Sequence, residues 1–183
     1  GLRIAIGAFA RLCKKSPGGP GAPQLHLVLA GGYDERLAEN REHLEELRGY
    51  ARHLNISEKV SFVPSFTGAQ RLALLRACSA VLYTPEHEHF GIVPLEGMAA
   101  GRAVIACNSG GPTESIQDGT TGFLCEPTAE SFADAMQSLT RNPEDLIKIG
   151  AAARDHVCKR FGRGTLGSDL SQLLLDLHAG VRV

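Results

Sequence analysis

Short apolar runs alternate along this chain with longer segments in which apolar residues recur at helical spacing. Continuous apolar runs bounded by glycine, proline or polar residues are typical of buried parallel strands. Strands are predicted at 25–30, 60–63, 80–84, 103–107 and 122–124. Helices are predicted at 34–54, 70–75, 93–101, 129–141, 143–161 and 166–178. Strands that alternate with helices imply right-handed crossovers, so the pattern predicts an α/β fold with a doubly wound parallel sheet covered on both faces.

The beginning of the chain also has helical spacing. Apolar residues between Ile4 and Leu12 form one stripe, and a loop rich in glycine and proline at 16–21 ends it. Gly1 opens this helix with no initiator methionine before it and no capping side chain. We therefore expect an N-terminally truncated domain.

Composition narrows the possible functions. A chain of 183 residues with 43% hydrophobic and 21% charged residues is long enough for one sizeable core. A net charge of −1 argues against a nucleic-acid partner, and no run of 18 apolar residues predicts a membrane span. The five cysteines include no Cys-x-x-Cys pair. We expect them to be buried, reduced thiols, which fits a cytosolic face.

Two carboxylates bracket a tight turn in the middle of the chain. Glu88 precedes Phe90-Gly91, and Glu96 follows in the first turns of the next helix. Gly91 has no Cβ, so backbone N–H groups can approach a ligand there, and the positive end of the helix can hold a diphosphate. Each carboxylate offers about four acceptor positions for the hydroxyls of a sugar or a ribose. The stretch therefore predicts a sugar-nucleotide site at the carboxyl ends of the strands.

The motifs of this site resemble those of a known family. The Glu-x7-Glu pair and the turn at 110–114 are similar to retaining glycosyltransferases of family GT4, whose architecture of two Rossmann-like domains is called GT-B. Segments 30–36, 83–91 and 108–112 resemble those of the eukaryotic mannosyltransferases that extend dolichol-linked oligosaccharide. The resemblance covers about residues 2–162. It implies that 1–162 form a Rossmann-like donor-binding domain, the C-terminal domain of a GT-B enzyme, with a C-terminal helix at 163–183.

The resemblance implies a role for each matching position. Glu88 corresponds to the catalytic carboxylate that binds hydroxyls of the transferred sugar, and Glu96 corresponds to the ribose ligand. The residues implied to surround the sugar and phosphates are His89, Phe90, Gly91, Ile92, Gly110 and Gly111. Glu114 lies just beyond them, where it could equally stabilise a helix dipole.

The resemblance also implies a reaction, its partners and its location. Mannose is transferred from GDP-mannose to a dolichol-diphosphate-linked oligosaccharide, with retention of anomeric configuration. In the family, a central strand, a loop with an arginine and a lysine for the diphosphate, and an acceptor domain precede the first helix, so we expect all three upstream of Gly1. The implied location is the cytosolic face of the endoplasmic reticulum membrane, with membrane association of the full-length protein. No cofactor and no metal are expected, since such enzymes use helix dipoles and basic side chains.

Other interpretations stay open. Sugar-nucleotide 2-epimerases share the GT-B architecture, and a non-catalytic sugar-nucleotide-binding module could keep the pocket without the chemistry. His87 and His89 could place two imidazoles on one face of a strand, as in a metal site, but no further ligands at suitable spacing appear. His89 is better interpreted as lining the sugar pocket. The nucleotide base is expected near the end of the strand at 60–63, where Pro64-Ser65 replace the family's usual glycine.

Overall fold

Strands and helices alternate in the computed structural model, which describes residues 1–15 and 24–179. The strands are β1 (Leu27–Gly31), β2 (Val60–Pro64), β3 (Ala80–Tyr83), β4 (Ala103–Cys107) and β5 (Gly122–Cys125). The helices are α1 (Leu2–Lys15), α2 (Ala38–His53), α3 (Gly68–Ala77), α4 (Ile92–Ala99), α5 (Pro112–Ser115), α6 (Ala129–Arg141), α7 (Pro143–Arg160) and α8 (Arg163–His178). Every predicted strand and helix is present, and the α/β class is confirmed. The loop predicted at 16–21 lies outside the described residues.

Helix boundaries differ from the prediction where local hydrogen bonds decide them. The helix predicted from 34 begins at Ala38, because the Leu37 N–H donates to the Asp34 carbonyl at 3.1 Å and makes a turn before the helix. The helix predicted from 70 begins at Gly68. Thr67 precedes it in a capping box with Gln70, which satisfies N–H groups that the helix itself leaves free.

The strands form two parallel sheets. β1 pairs with β2, with Leu27 opposite Val60, and the second sheet has the order β3-β4-β5. A single sheet was expected, but the strands are divided between two. Within residues 1–15 and 24–179, no strand pairs with both β1 and β3 to join them. The expectation that β1 is fully buried is wrong. Leu27 packs into the core on one face of the strand, whereas Val28, on the other face, is 42% exposed; all of β4 is buried.

Helix α1 joins the two sheets. Ala8 belongs to the apolar cluster around β4 and α6, while Ile6 and Phe9 belong to the cluster around β1 and α2. Leu82 of β3 packs against both clusters. A third cluster, with Met98 of α4 fully buried, lies between α4, the second sheet and α7. This cluster fixes α4 relative to the carboxyl ends of β3 and β4.

The last helix, α8, lies outside the core. Helix α8 buries none of its residues, and Leu166, Leu170, Leu174, Leu175 and Leu177 are all more than half exposed. No helix in the described ranges is long and apolar enough to cross a membrane.

The cysteines test a further prediction. All five thiols are free, and Cys107 and Cys125 are buried as predicted. The prediction is wrong for Cys158, which lies in α7 and is exposed to solvent. Asn55 has φ of +58° just after α2, a left-handed conformation that asparagine tolerates at the end of a helix.

Candidate donor-binding site

Two loops meet at the carboxyl end of the second sheet. The first follows β3 and runs from Thr84 to Gly91; the second follows β4 and runs from Asn108 to Gly111. The Gly111 N–H donates to the Glu88 carbonyl at 2.8 Å, and the His87 N–H donates to Ser109 Oγ at 3.1 Å. Parallel strands end at the same edge of a sheet, so this is where an open α/β fold places a ligand.

Two glycines allow the loops to touch. A Cβ on Gly110, which has φ of +60°, would overlap the Glu88 carbonyl oxygen. A Cβ on Gly111 would overlap the Phe90 carbonyl oxygen. Both glycines therefore lie against the backbone of the first loop and hold its position. Their predicted contact with phosphate stays a prediction.

The first loop leads directly into α4. Gly91 is the residue before this helix and has φ of +74° and ψ of +77°, a left-handed conformation that glycine adopts without strain. No acceptor among the described residues takes the N–H of Ile92 or Val93, which belong to the first turn. The next residue, Pro94, has no N–H. The helix therefore presents donors and its positive end beside the Glu88 loop.

Tyr83, the last residue of β3, packs against the loop that runs from Thr84 to Gly91. Its ring atom Cε1 lies 3.4 Å from the place that a Cβ on Gly91 would occupy. Burial, and then the negative charge of Glu88, raise the pKa of the Tyr83 phenol. Glu88 itself is half-buried, and its carboxylate is close enough to the Tyr83 phenol to affect the pKa of that group.

An aromatic contact ties the loop to the C-terminal helices. Phe90 is 52% exposed, and its ring meets Phe161 edge to face at a centroid distance of 6.3 Å. Phe161, at the end of α7, meets His156 in the same way at 6.2 Å. His156 Nε2 is buried with no hydrogen-bond partner among the described residues. The end of α7 thus limits how far the Phe90 turn can move.

Glu96 is held by a residue from another helix. Arg71 Nη1 donates to Glu96 Oε1 at 2.6 Å, and the two side chains are 50% and 22% exposed. Arg71 lies in the first turn of α3, which the Thr67–Gln70 capping box fixes. No donor in the described part of the chain reaches Glu96 Oε2. The carboxylate therefore keeps one oxygen for a ligand.

The remaining candidates lie on the surface of the site. His87 and His89 are exposed, and His87 has φ of +55°. Residues 1–15 and 24–179 contain no group of three or more side chains that could hold a metal ion. Glu114 is exposed in the short helix α5. Ser65, in the turn after β2 where the base is predicted, also has positive φ, and its Oγ donates to the Tyr33 carbonyl at 2.7 Å.

The structure brings most of the predicted residues together and adds others. Glu88, Phe90 and Gly91 share one loop, which contacts Gly110 and Gly111 directly. The sequence interpretation did not identify four residues that support this loop or Glu96, namely Arg71, Tyr83, Ser109 and Phe161. Tyr83 and Ser109 lie within segments 83–91 and 108–112, which carry the family resemblance, so their position along the chain could have drawn attention to them. Arg71 and Phe161 carry no such signal.

Comparisons with known proteins identify the family of this chain. The family model described as "Glycosyl transferases group 1" matches residues 1–156. The alpha-1,3/1,6-mannosyltransferase ALG2 of Dictyostelium discoideum is 39% identical over 179 residues, which cover 96% of this chain and 43% of that protein. The protein of the same name from Homo sapiens is 47% identical over 138 residues, which cover 75% of this chain and 33% of that protein. The chain thus spans well under half the length of these relatives.

Solved structures show the same fold. The Anabaena protein HepE in complex with UDP superposes with a TM-score of 0.81 at 25% identity, covering 96% of this chain and 45% of that one. The C-terminal domain of a glycosyl transferase group 1 family protein, LpcC from Francisella tularensis, superposes with a TM-score of 0.76 at 25% identity. That alignment covers 89% of this chain and 80% of the LpcC chain.

Proposed function

Because this chain belongs to the glycosyl transferases group 1 family, we propose that it is the donor-binding half of a retaining mannosyltransferase. The proposed reaction transfers mannose from GDP-mannose to a dolichol-diphosphate-linked oligosaccharide. The observation that carries the proposal is the contact between the Glu88 loop and Gly110-Gly111 beside the first turn of α4. The names of the Dictyostelium and human relatives, both alpha-1,3/1,6-mannosyltransferases, support mannose as the transferred sugar.

The donor sugar is assigned to the first loop. Glu88 accepts hydrogen bonds from hydroxyls of the mannose and acts as the catalytic carboxylate of this half, while His89 lines the sugar pocket. The fixed position of the Glu88 backbone supports this role, since the Gly111 N–H holds its carbonyl at 2.8 Å. A carboxylate on a loop held in this way can orient the anomeric carbon before reaction.

The diphosphate is assigned to the start of α4. The free N–H groups of Ile92 and Val93 and the positive helix end attract the diphosphate of the donor, which carries two negative charges before the sugar leaves. During transfer, the bond between the anomeric carbon and the phosphate oxygen breaks, the acceptor hydroxyl oxygen bonds to the same carbon, and the hydroxyl proton passes to the departing phosphate. Negative charge then builds on the departing GDP, and donors already aimed at it stabilise the transition state. No metal or cofactor is part of this proposal.

The ribose is assigned to Glu96. A single carboxylate can accept from both hydroxyls of a vicinal diol. Glu96 is 22% exposed and lies on the same helix whose first turn is assigned to the diphosphate, which supports this position. The base is assigned to the Pro64-Ser65 turn at the end of β2.

The partners and location depend on the proposed reaction. The acceptor is a lipid-linked oligosaccharide bound by a second domain, and the full-length protein works at the cytosolic face of the endoplasmic reticulum membrane. No nucleic-acid partner is proposed, in keeping with the net charge of −1.

A transfer assay tests the proposal. The full-length protein is incubated with GDP-mannose labelled in the sugar and with a dolichol-diphosphate-linked oligosaccharide acceptor. We expect labelled glycolipid that forms only when acceptor is present, and the Glu88→Ala variant should form far less. Release of a labelled epimer without acceptor would favour the epimerase, which the mannosyltransferase relatives disfavour. Binding of GDP-mannose without any labelled product would favour a non-catalytic sugar-nucleotide-binding module.

A further inference from the structure

Arg71 lies outside every motif that identified the site, yet it contacts one of the two acids of the Glu-x7-Glu pair. Its Nη1 atom is 2.6 Å from Glu96 Oε1, although the two residues are 25 positions apart and belong to different helices. The contact joins the first turn of α3 to the second turn of α4. We propose that Arg71 is a positioning residue for nucleotide recognition, which acts through Glu96. The inference rests on the proposed function of Glu96 as the ribose ligand.

The geometry of the pair suits this role. Arg71 occupies one oxygen of the carboxylate and leaves Oε2 without a donor among the described residues. The side chain of Glu96 is thereby restricted to one orientation before any nucleotide arrives. Fixing a rotatable side chain in advance removes an ordering cost of about 0.5–1.5 kcal/mol from binding, which corresponds to about two- to tenfold in Kd.

The charges of the pair also favour a nucleotide. Without Arg71, Glu96 would place an uncompensated negative charge close to a ligand that carries several negative charges of its own. The Arg71 guanidinium offsets that negative charge, since its Nη1 lies 2.6 Å from Glu96 Oε1. Glu96 can then act as an acceptor for hydroxyls without repelling the diphosphate.

A purely structural role would be to tie α3 to the domain. Helix α3 buries none of its residues, so a contact with Glu96 could help to hold the helix against the domain. However, the other end of α3 is already attached, because Arg102 Nε donates to the Leu75 carbonyl at 3.0 Å and its Nη2 donates to the Arg76 carbonyl. The capping box fixes the beginning of the helix through its own residues. The shape of α3 therefore does not depend on Arg71.

The test measures Kd by calorimetric titration of the full-length transferase with GDP and with 2′,3′-dideoxy-GDP, which lacks the ribose diol. We expect Arg71→Ala to weaken GDP about three- to tenfold and to weaken the dideoxy analogue clearly less, since the analogue feels only the uncompensated charge of Glu96 and has no diol for the carboxylate to orient. In the Glu96→Ala background, Arg71→Ala should have no further effect. Arg71→Lys should recover most of the loss, since a single N–H to oxygen contact needs only one cationic donor. Arg76→Ala is the matched control, because Arg76 lies on the same helix and its side chain has no hydrogen bond or ion pair within the described ranges.

Each other outcome overturns the inference. Equal weakening of GDP and its dideoxy analogue would show that Arg71 contacts the phosphates or supports the fold, and not the diol through Glu96. Additive losses in the double variant would show the same. If Glu96→Ala weakens GDP but Arg71→Ala does not, the positioning role fails while the proposed function stands. If neither acid of the pair affects GDP or GDP-mannose, the proposed donor site fails as well.

Discussion

The backbone N–H of Gly111 donates a hydrogen bond of 2.8 Å to the carbonyl oxygen of Glu88. This bond joins the loops after β3 and β4, and it is possible only because neither Gly110 nor Gly111 has a side chain. The main chain that carries the proposed catalytic carboxylate is therefore positioned by a second loop, and not by its own strand alone.

The first prediction tests this packing with Gly110→Ala. The new Cβ would overlap the Glu88 carbonyl oxygen and would also be strained at φ of +60°. We expect a loss of about 2–4 kcal/mol in the free energy of unfolding. Displacement of the Glu88 loop should lower the transfer rate about a hundredfold. Thermal or urea unfolding and transfer kinetics of the full-length enzyme measure the two effects.

Gly119→Ala is the control for this change. Gly119 has φ of +70°, so alanine is strained there too, but no atom lies within 4 Å of its Cβ position. We expect only the conformational cost, about 1 kcal/mol, and full activity. Equal losses of stability and activity in the two variants would show that the contact with Glu88 does not matter.

The second prediction separates the two glutamates. Glu96→Ala should weaken GDP-mannose and free GDP alike, since both contain the ribose. A hydrogen bond to a charged group is worth roughly 1.5–3 kcal/mol, or about ten- to a hundredfold in Kd. Glu88→Ala should leave GDP binding unchanged and lower kcat for transfer, because its contacts are to the mannose. Calorimetric titration with GDP, together with transfer kinetics, distinguishes them. Loss of GDP affinity in Glu88→Ala as severe as in Glu96→Ala would contradict the assignment.

The third prediction concerns the aromatic contact behind the Phe90 turn. Phe161→Leu keeps most of the apolar volume but removes the edge-to-face contact at 6.3 Å, which is worth roughly 0.5–1.5 kcal/mol. We expect kcat/KM to fall about three- to tenfold, since the loop loses support on one side. Phe123→Leu makes the same change in β5, where the ring forms no aromatic pair among the described residues. If Phe123→Leu lowers kcat/KM equally, general loosening of the core and not the loop contact is responsible.

The fourth prediction is a dependence of stability on alkaline pH. Burial, and then the negative charge of Glu86, raise the pKa of the Cys107 thiol from 9.0 to about 11. The unfolded chain therefore releases this proton at lower pH than the folded chain does. The resulting stability is fully present below pH 9 and is lost as the pH rises to about 11.

Cys107→Ser tests this contribution, since serine does not titrate in this range. Burial also raises the pKa of Cys125 and Cys78, so the variant should still lose stability with pH, but less steeply. The slope of the free energy of unfolding against pH should fall in magnitude by up to about 1.4 kcal/mol per pH unit between pH 9 and 11. Parallel curves for Cys107→Ser and the parent protein would show that Cys107 contributes nothing to this dependence.

The sequence by itself determined the order of strands and helices and the place of the candidate site. Apolar runs such as 103–107 have a local cause, because a strand buried on both faces must be apolar throughout, and β4 is buried at every residue. The Phe90-Gly91 turn was likewise visible from residue types, since the left-handed conformation before α4 favours glycine. Short-range periodicity and the conformational limits of single residues set both features, so both could be predicted.

Only the tertiary structure decided which distant residues meet. The exposure of Val28 depends on which face of β1 the rest of the domain covers, and the Arg71–Glu96 ion pair depends on how α3 and α4 lie relative to each other. The overlap that forbids a Cβ on Gly110 depends on a neighbouring loop, and the contact of Phe90 with Phe161 depends on the end of α7. None of these leaves a pattern in the chain, because a local sequence sets the direction of a side chain but not the partner that packing brings to it.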